Sequence, residues 1–283
     1  MVSIVILSYN KRQLTVDCLT SLNKNIPHDQ YETIVVDNAS SDDSVEYIRK
    51  HFPKVKLIEN TRNAGFAGGC NLGAKHAKGE FILFLNNDAA IGENPLPEMV
   101  KTFSEDEKIG VVGGLLTNLN GSLQRSYGNF YTILNVAYLL FAGESGELKR
   151  LQSKEVIETD WVSGGFMMVR RTVFQKVTGF NESYFMYIED MDLCYRIKKS
   201  NYKIMFTPLV KIKHIGQAST NKTFAIVHIY EGLQIFYRQQ RSSLEYYIVK
   251  LLLCIKAVSA LLIGLVTGNK YLIHTYFSAL KTL

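Results

Sequence analysis

The stretch Val2-Ser3-Ile4-Val5-Ile6-Leu7-Ser8-Tyr9-Asn10 decides how the rest of the chain is read. A short run dominated by Val, Ile and Leu marks a strand covered on both faces. No basic stretch precedes it and it turns polar at once, so it is expected to be a buried strand and not a signal peptide. Similar runs recur at 33–36, 55–58, 81–85 and 111–115, separated by helix-length stretches at 11–24, 42–51, 66–78 and 95–104. Ser41 ahead of Asp42 and Asp43 suits a helix start, and Gly79 after Lys78 suits a helix end. Strand–helix alternation predicts an α/β fold, a mostly parallel sheet flanked by helices, with ligands beyond the C-terminal ends of its strands.

The rhythm breaks after residue 116. Residues 118–160 contain several glycines and no sustained period, so loops and short elements are expected. A second block predicts a strand over 161–170, a short helix over 171–177 and a helix over 189–200. Two strands follow, 203–206 and 210–214, separated by Pro208. From Tyr246 to Thr267 the chain is strongly apolar, interrupted by Lys250 and Lys256. Three roles fit this tail: a helix on a membrane surface, a buried or homodimer-forming helix, or a membrane span. Lys256 near the middle counts against a span. The expected organisation is a domain over 1–240, with a nucleotide-binding half (1–115) and an acceptor-binding half (116–240). A helical, membrane-associated or oligomerising tail covers 241–283.

The 283 residues allow one large domain or two modest ones, and 47% hydrophobic with 20% charged residues excludes a disordered chain. Cys18, Cys70, Cys194 and Cys254 are too scattered for a zinc or redox motif and read as reduced thiols. The net charge of +6 is unevenly spread: residues 191–283 carry 13 Lys and Arg against 3 Asp and Glu. That asymmetry favours an anionic partner such as membrane headgroups or a phosphorylated acceptor, or else is a solvated basic face. A nucleic-acid role would rest on this charge alone, without an interleaved aromatic motif, and none is expected.

The predicted strand ends collect polar and small residues: Ser8-Tyr9-Asn10, Asp37-Asn38-Ala39-Ser40, Asn63-Ala64-Gly65-Phe66-Ala67-Gly68-Gly69 and Asn86-Asn87-Asp88. Each alone is an ordinary turn. On one rim they supply an aromatic face, a carboxylate for base or ribose donors, and glycines that admit phosphate. Neither G-x-G-x-x-G nor a Walker-type loop occurs, so the nucleotide must be held differently.

These segments, with Asn63-Ala64-Gly65-Phe66-Ala67-Gly68-Gly69-Cys70-Asn71 and Tyr187-Ile188-Glu189-Asp190-Met191-Asp192-Leu193-Cys194, resemble glycosyltransferase family 2, and within it the bacterial rhamnosyltransferases. The resemblance covers about residues 2–240 and implies a GT-A fold, a nucleotide-sugar donor, Mn2+ or Mg2+, and an inverting mechanism. It places Tyr9 and Asp37 at the nucleobase, Asn63, Gly65 and Asn71 beside the donor, and Asn87 and Asp88 at the metal–diphosphate. The Asn-Asn-Asp motif offers one carboxylate where many members have two or three.

Glu189, Asp190 and Asp192 crowd like charges together without a basic neighbour before Arg196, which suggests catalytic work or, in part, complementation of a helix dipole. The family's general base matches Asp190, and its second metal ligand matches His214. Trp161 beside Gly164 and Gly165 is either a stacking wall for the acceptor sugar or a buried strand residue; Trp161, Gly165 and Glu189 are the acceptor-side candidates.

The resemblance thus implies transfer of L-rhamnose from its deoxythymidine-diphosphate form (dTDP-rhamnose) to a lipid-linked saccharide of cell-wall or capsular polysaccharide. The site would be the cytoplasmic face of the membrane. A uridine-diphosphate (UDP) hexose is the alternative donor. A nucleotide-sugar-binding subunit without catalysis is the rival from another class, and Asp88, Asp190 and His214 speak against it.

Overall fold

The computed structural model describes residues 1–142, 153–216 and 221–283. Four parallel strands come first: β1 (Val2–Ser8), β2 (Tyr31–Asp37), β3 (Lys56–Glu59) and β4 (Phe81–Asn86). They are joined by α1 (Arg12–Asn25), α2 (Ser44–His51) and α3 (Gly65–Lys75), and they lie in the order β3-β2-β1-β4. Ser8 pairs with Asp37 and Leu7 with Asn86, so three chemistry-bearing turns leave the sheet at one level. Side chains alternate between two cores. Val5, Val36 and Phe84 face one; Ile4, Ile6 and Leu83 face the other, and all are buried. That two-sided burial explains the unbroken apolar runs.

The chain continues through β5 (Ala89–Ile91), α4 (Leu96–Ser104), β6 (Ile109–Thr117), β7 (Tyr127–Gly128) and α5 (Ile133–Ala142). Then come β8 (Ile157–Thr159), β9 (Trp161–Val162), β10 (Phe166–Arg170), α6 (Arg171–Lys176), α7 (Glu189–Lys199) and β11 (Lys203–His214). The main sheet has nine strands in the order β3-β2-β1-β4-β10-β6-β11-β5, with β8 on β11, while β7 pairs with β9. It is mixed, not mostly parallel in its pairings: β10 runs against β4 and β6, and β5 and β8 run against β11.

Several expectations shift. The strand expected over 161–170 is two, broken at Ser163-Gly164-Gly165. The two strands around Pro208 are one, because the proline falls in a register shift between Thr207 and Lys211 where no ladder hydrogen bond is lost. The third helix stops at Lys75, short of Gly79, and Asp42 accepts from Ser44 instead of capping with Ser41. The segment 118–160 holds the ten-residue α5; its part over 143–152 lies outside the described residues.

Three helices close the chain: α8 (Lys222–Gln240), α9 (Ser243–Thr267) and α10 (Lys270–Leu280). A capping box at Ser242 and Glu245 starts α9, and Gly268 ends it. Val249, Leu253 and Ala257 of α9 and Ala279 of α10 are fully buried in the same core as Val5 and Phe84. The tail expected from residue 241 therefore packs on the preceding residues and has no core of its own.

Candidate functional site

The site grows from the strand ends. After β1, Asn10 and Lys11 adopt left-handed backbone, which turns the chain sharply into α1. Asn10 is locked to the turn after β2: its amide N–H donates to Ser40 Oγ at 2.7 Å and its side-chain oxygen accepts from the Ser41 N–H at 2.8 Å. Tyr9 beside it is 45% exposed, a free aromatic face at the rim. Asp37 ends β2 and is buried. One of its carboxylate oxygens accepts from the Ser40 N–H at 2.9 Å, while buried Oδ1 has no hydrogen-bond partner among the described residues. A buried carboxylate oxygen without a donor is costly and is suited to one brought by a ligand.

Asn38 knots the neighbouring loop. It donates to Asn63 Oδ1 at 2.8 Å and to the Gly65 carbonyl at 3.1 Å, and it accepts from the Ala64 N–H at 3.1 Å. Gly65 has φ +70°, and a Cβ there would lie 2.2 Å from the Phe185 carbonyl oxygen. Only glycine fits, and that close approach joins the 63–65 loop to the segment leading into α7. Asn71 sits on α3 with its amide fully engaged: it donates to the Phe180 carbonyl at 2.8 Å and to Glu182 at 2.9 Å, and accepts from the Phe180 N–H at 2.9 Å. It ties α3, the helix that follows the 63–65 loop, to that segment.

After β4, Asn87 turns inward and donates to Thr15 Oγ1 at 3.1 Å, beneath the end of β1. Asp88 faces the end of β11. Its Oδ2 accepts from the Gly216 N–H at 3.1 Å and its Oδ1 lies 3.1 Å from His214 Nε2. Asn86 Nδ2 lies 2.9 Å from the same ring nitrogen. No cluster of three or more His, Cys, Asp or Glu suited to a metal occurs among the described residues. Asp88 and His214 fit a divalent cation as a pair, one hard oxygen and one imidazole, if the remaining ligands come from diphosphate and water.

Asp190 reaches the strand ends through the Gly164-Gly165 turn, with Gly164 against Asp190 and Gly165 against Asn86. Tyr187 and Ile188 both take left-handed backbone, φ 68° and 69°, unusual for an aromatic and a β-branched residue, and they aim the start of α7 at the rim. Asp190 Oδ2 accepts from the Gly164 N–H at 3.0 Å and Oδ1 from the Met191 N–H at 2.8 Å. Burial pushes its carboxyl above the usual range, against the pull of those N–H groups and of Arg125. Glu189 is buried and pushed well up, by burial first and then by the Asp190 charge. Asp192 is fully buried and structural, accepting from Arg196 Nε at 2.7 Å and from Gln240 at 3.1 Å. Gly164 and Gly165 connect the two sides. A Cβ on Gly164 would touch Asp190, and one on Gly165 would lie 3.1 Å from Asn86 Nδ2.

Trp161 is not an open stacking wall. It is 7% exposed, donates its indole N–H to the Asn129 carbonyl at 3.1 Å and is covered by the Arg125 guanidinium, 4.9 Å from the ring. The buried-strand alternative describes it. Arg125 and Gln124, which border the site from beside β7, carried no sequence signal, because their segment has neither period nor motif. Phe185 is 37% exposed and its carbonyl accepts from the Phe66 N–H at 2.7 Å.

Residues 3–178 match the sequence model described as Glycosyl transferase family 2, and residues 151–220 match one described as N-terminal domain of galactosyltransferase. The chain is 24% identical over 209 residues to N-acetylglucosaminyl-diphospho-decaprenol L-rhamnosyltransferase of Mycobacterium tuberculosis, covering 67% of this chain and 68% of that protein. It is 26% identical over 235 residues to the Escherichia coli rhamnosyltransferase WbbL, covering 80% and 87%. Among solved structures it resembles GalNAc-T7 with UDP, GalNAc and Mn2+, with a TM-score of 0.64, 19% identity and 84% of this chain covered. The match spans about half of that longer protein, 48%.

Proposed function

This chain belongs to glycosyltransferase family 2, and we propose that it transfers an L-rhamnosyl residue from dTDP-rhamnose to a lipid-diphosphate-linked saccharide, with inversion. The observation that carries the reading is Asp190, a carboxylate held by the Gly164 N–H beside the strand-end rim. Asp190 takes the proton of the acceptor hydroxyl as that oxygen attacks the anomeric carbon. The bond to the donor diphosphate breaks on the opposite face, and one displacement inverts the centre. Burial raises the affinity of Asp190 for that proton, which suits a base. Tyr9 and the open Oδ1 of Asp37 hold the nucleobase. Asn63 and Gly65 shape the loop at the donor, and Asn71 holds that loop's helix to the 180–182 segment. Asp88 and His214 would hold Mn2+ or Mg2+, which when bound offsets the charge of the leaving diphosphate. Glu189 and Gly165 line the acceptor side.

The lipid-linked acceptor is supported by the names of the mycobacterial relative and by α9. Leu244, Tyr247, Leu251, Ile255, Val258, Leu262 and Val266 are exposed at three- and four-residue spacing on one face, opposite the buried Val249, Leu253 and Ala257. Lys250 and Lys256 border the buried row on either side and are half-buried, so their ammonium groups lie on the side away from the exposed apolar face. A helix lying in the interface sinks such a face into lipid while the lysines reach headgroups. Among the described residues α9 alone is long and apolar enough to span, but its opposite face is taken by protein. The reading is therefore peripheral attachment at the cytoplasmic membrane surface.

The test is purified full-length protein on vesicles bearing a diphosphate-linked N-acetylglucosamine acceptor, assayed with dTDP-rhamnose and with UDP-hexoses, with Mn2+ and with chelator. Product from dTDP-rhamnose in Mn2+ alone supports the reading. Product only from a UDP-hexose replaces the donor. Nucleotide-sugar binding with neither transfer nor hydrolysis turns the reading into a binding subunit.

A further inference from the structure

We infer that Gln124 is a positioning residue for the metal. It fixes the tautomer of His214 so that Nε2, the ring nitrogen beside Asp88, is the atom offered to the cation; the assignment rests on the metal-dependent reading above. The orientation of the Gln124 amide is set by its own neighbours. Its Nε2 donates to the His214 carbonyl at 2.7 Å and to Asn118 Oδ1 at 2.7 Å. Asn118 is fixed in turn by donating from Nδ2 to Ser122 Oγ at 2.8 Å. Reversing Gln124 would press its oxygen against two acceptors. Oε1 therefore faces His214 Nδ1 at 2.6 Å, and only an N–H fits there.

With the proton on Nδ1, a neutral ring presents its lone pair at Nε2. That nitrogen meets the Asn86 amide donor at 2.9 Å and stands 3.1 Å from Asp88 Oδ1. The Asn86 N–H occupies that lone pair in the absence of a cation, and a cation that displaces it finds an imidazole nitrogen and a carboxylate oxygen side by side. The opposite tautomer would place an N–H between them and block it. Gln124 is rigid enough for the task. Its N–H donates to the Leu116 carbonyl at 2.9 Å, directly after the bridge between Thr117 and Leu123. An outer partner that holds the second nitrogen of a ligating histidine typically supplies about 10–100-fold in metal affinity.

The test uses full-length, metal-free protein labelled with 15N-histidine at mildly alkaline pH. The spectrum of His214→Gln identifies the resonances of this ring among the six histidines. Long-range 1H–15N correlation shows which nitrogen carries the proton. Electron paramagnetic resonance follows Mn2+ uptake with UDP and with dTDP. The native ring is expected as Nδ1–H. Gln124→Met removes both functions of the amide and is expected to shift the ring towards Nε2–H and weaken Mn2+ uptake about 10–100-fold. Gln124→Glu keeps the acceptor at Nδ1 but loses both donors, to the His214 carbonyl and to Asn118 Oδ1, and turns an oxygen towards them; it is expected to keep Nδ1–H and to lose less Mn2+ than Gln124→Met does. Nucleotide binding in chelator confirms that both variants are folded.

An unchanged Nδ1–H ring in Gln124→Met overturns the assignment while native Mn2+ binding leaves the metal reading standing. Equal loss of Mn2+ in both variants, with different tautomers, overturns it too, because Gln124 would then act only through the backbone. Native protein that takes up no Mn2+ with either nucleotide overturns the metal reading, and this assignment with it.

Discussion

Replacing Asp190 by Asn separates its chemical role from its structural one, and the geometry gives a magnitude for each. Loss of a general base costs about 10²–10⁴-fold in rate, or about 3–5 kcal/mol in activation free energy. Structurally, each carboxylate oxygen accepts one backbone N–H, from Gly164 at 3.0 Å and from Met191 at 2.8 Å. Asn keeps one of these and turns an NH2 on the other, leaving a donor unpaired at a cost of about 1–3 kcal/mol. Removing a buried charge offsets part of that, so the melting temperature should fall by a few degrees at most. Donor affinity, measured by calorimetry on the same preparation, should stay near native. Burial raises the Asp190 pKa, and the base works ionised, so native activity should fall as pH drops through a point above the ordinary carboxylate range. Near-native turnover in Asp190→Asn would refute the assignment. Weakened donor binding with an unchanged chemical step would move Asp190 to the donor side.

Three further outcomes follow from the same geometry. Glu189 has its pKa raised by burial and by Asp190, so between the unfolded and folded values the native state holds a proton that the unfolded state has released, and stability falls as pH rises through that window. Glu189→Gln should therefore melt above native protein on the alkaline side of the window and converge with it in acid, as read by denaturation at a series of pH values. Gly65→Ala forces a left-handed alanine, about 1–2 kcal/mol, against the Phe185 carbonyl; urea unfolding should show at least that loss, and donor binding should weaken, whereas a neutral result would mean that the loop is not fixed there. Leu251→Glu with Leu262→Glu, both on the exposed face of α9, should leave the melting temperature within about a degree yet abolish flotation with anionic vesicles; each buried leucine contributes roughly 1.5–3 kcal/mol and each nearby lysine about 1 kcal/mol. Flotation that survives in the double variant would locate the membrane contact elsewhere, and a native dimer that dissociates in it would make the face a subunit interface.

The first half of the fold was legible because β1, β2 and β4 are buried on both faces, so their apolar runs have sharp edges. The second half was not. β5 is three residues long and β9 two, below the length at which any period exists, and β11 runs through a proline that sequence rules treat as a break. In the site, Tyr9, Asp37 and Asp88 stood out as polar residues at predicted strand ends, and Asp190 and His214 through the family resemblance. Asn71 and Trp161 stood out equally; the folded chain shows the Asn71 amide hydrogen-bonded to the 180–182 segment and Trp161 buried, neither of which the sequence pattern distinguishes from an open site residue. Gln124 gave no signal, since its part depends on two acceptors, His214 and Asn118, that only the folded chain brings to one amide.

The strained turn before Asp190 links the tail to the chemistry. Left-handed Tyr187 and Ile188 together cost about 2–4 kcal/mol, so the turn persists only where its surroundings over-determine it. α8 supplies that surrounding. A Cβ on Gly232 would lie 2.8 Å from Ile188 Cγ1 and 3.1 Å from the Tyr187 carbonyl, so the helix backbone presses directly on the turn. Asp192, one turn into α7, is fastened by Gln240 at the end of α8. α8 is held in its turn from outside: Gln234 donates to the Thr282 carbonyl at 3.0 Å, Thr223 pairs with Thr275 at 2.7 Å, and Leu253 and Ala257 of α9 lie in the core that α8 shares. The helix that carries the exposed apolar row thus braces, through α8, the turn that sets Asp190. Under the proposed function, seating α9 at a bilayer and positioning Asp190 become one mechanical arrangement, which is a reason for the tail to pack into the core it shares with β1 and β4 instead of hanging from it by a linker.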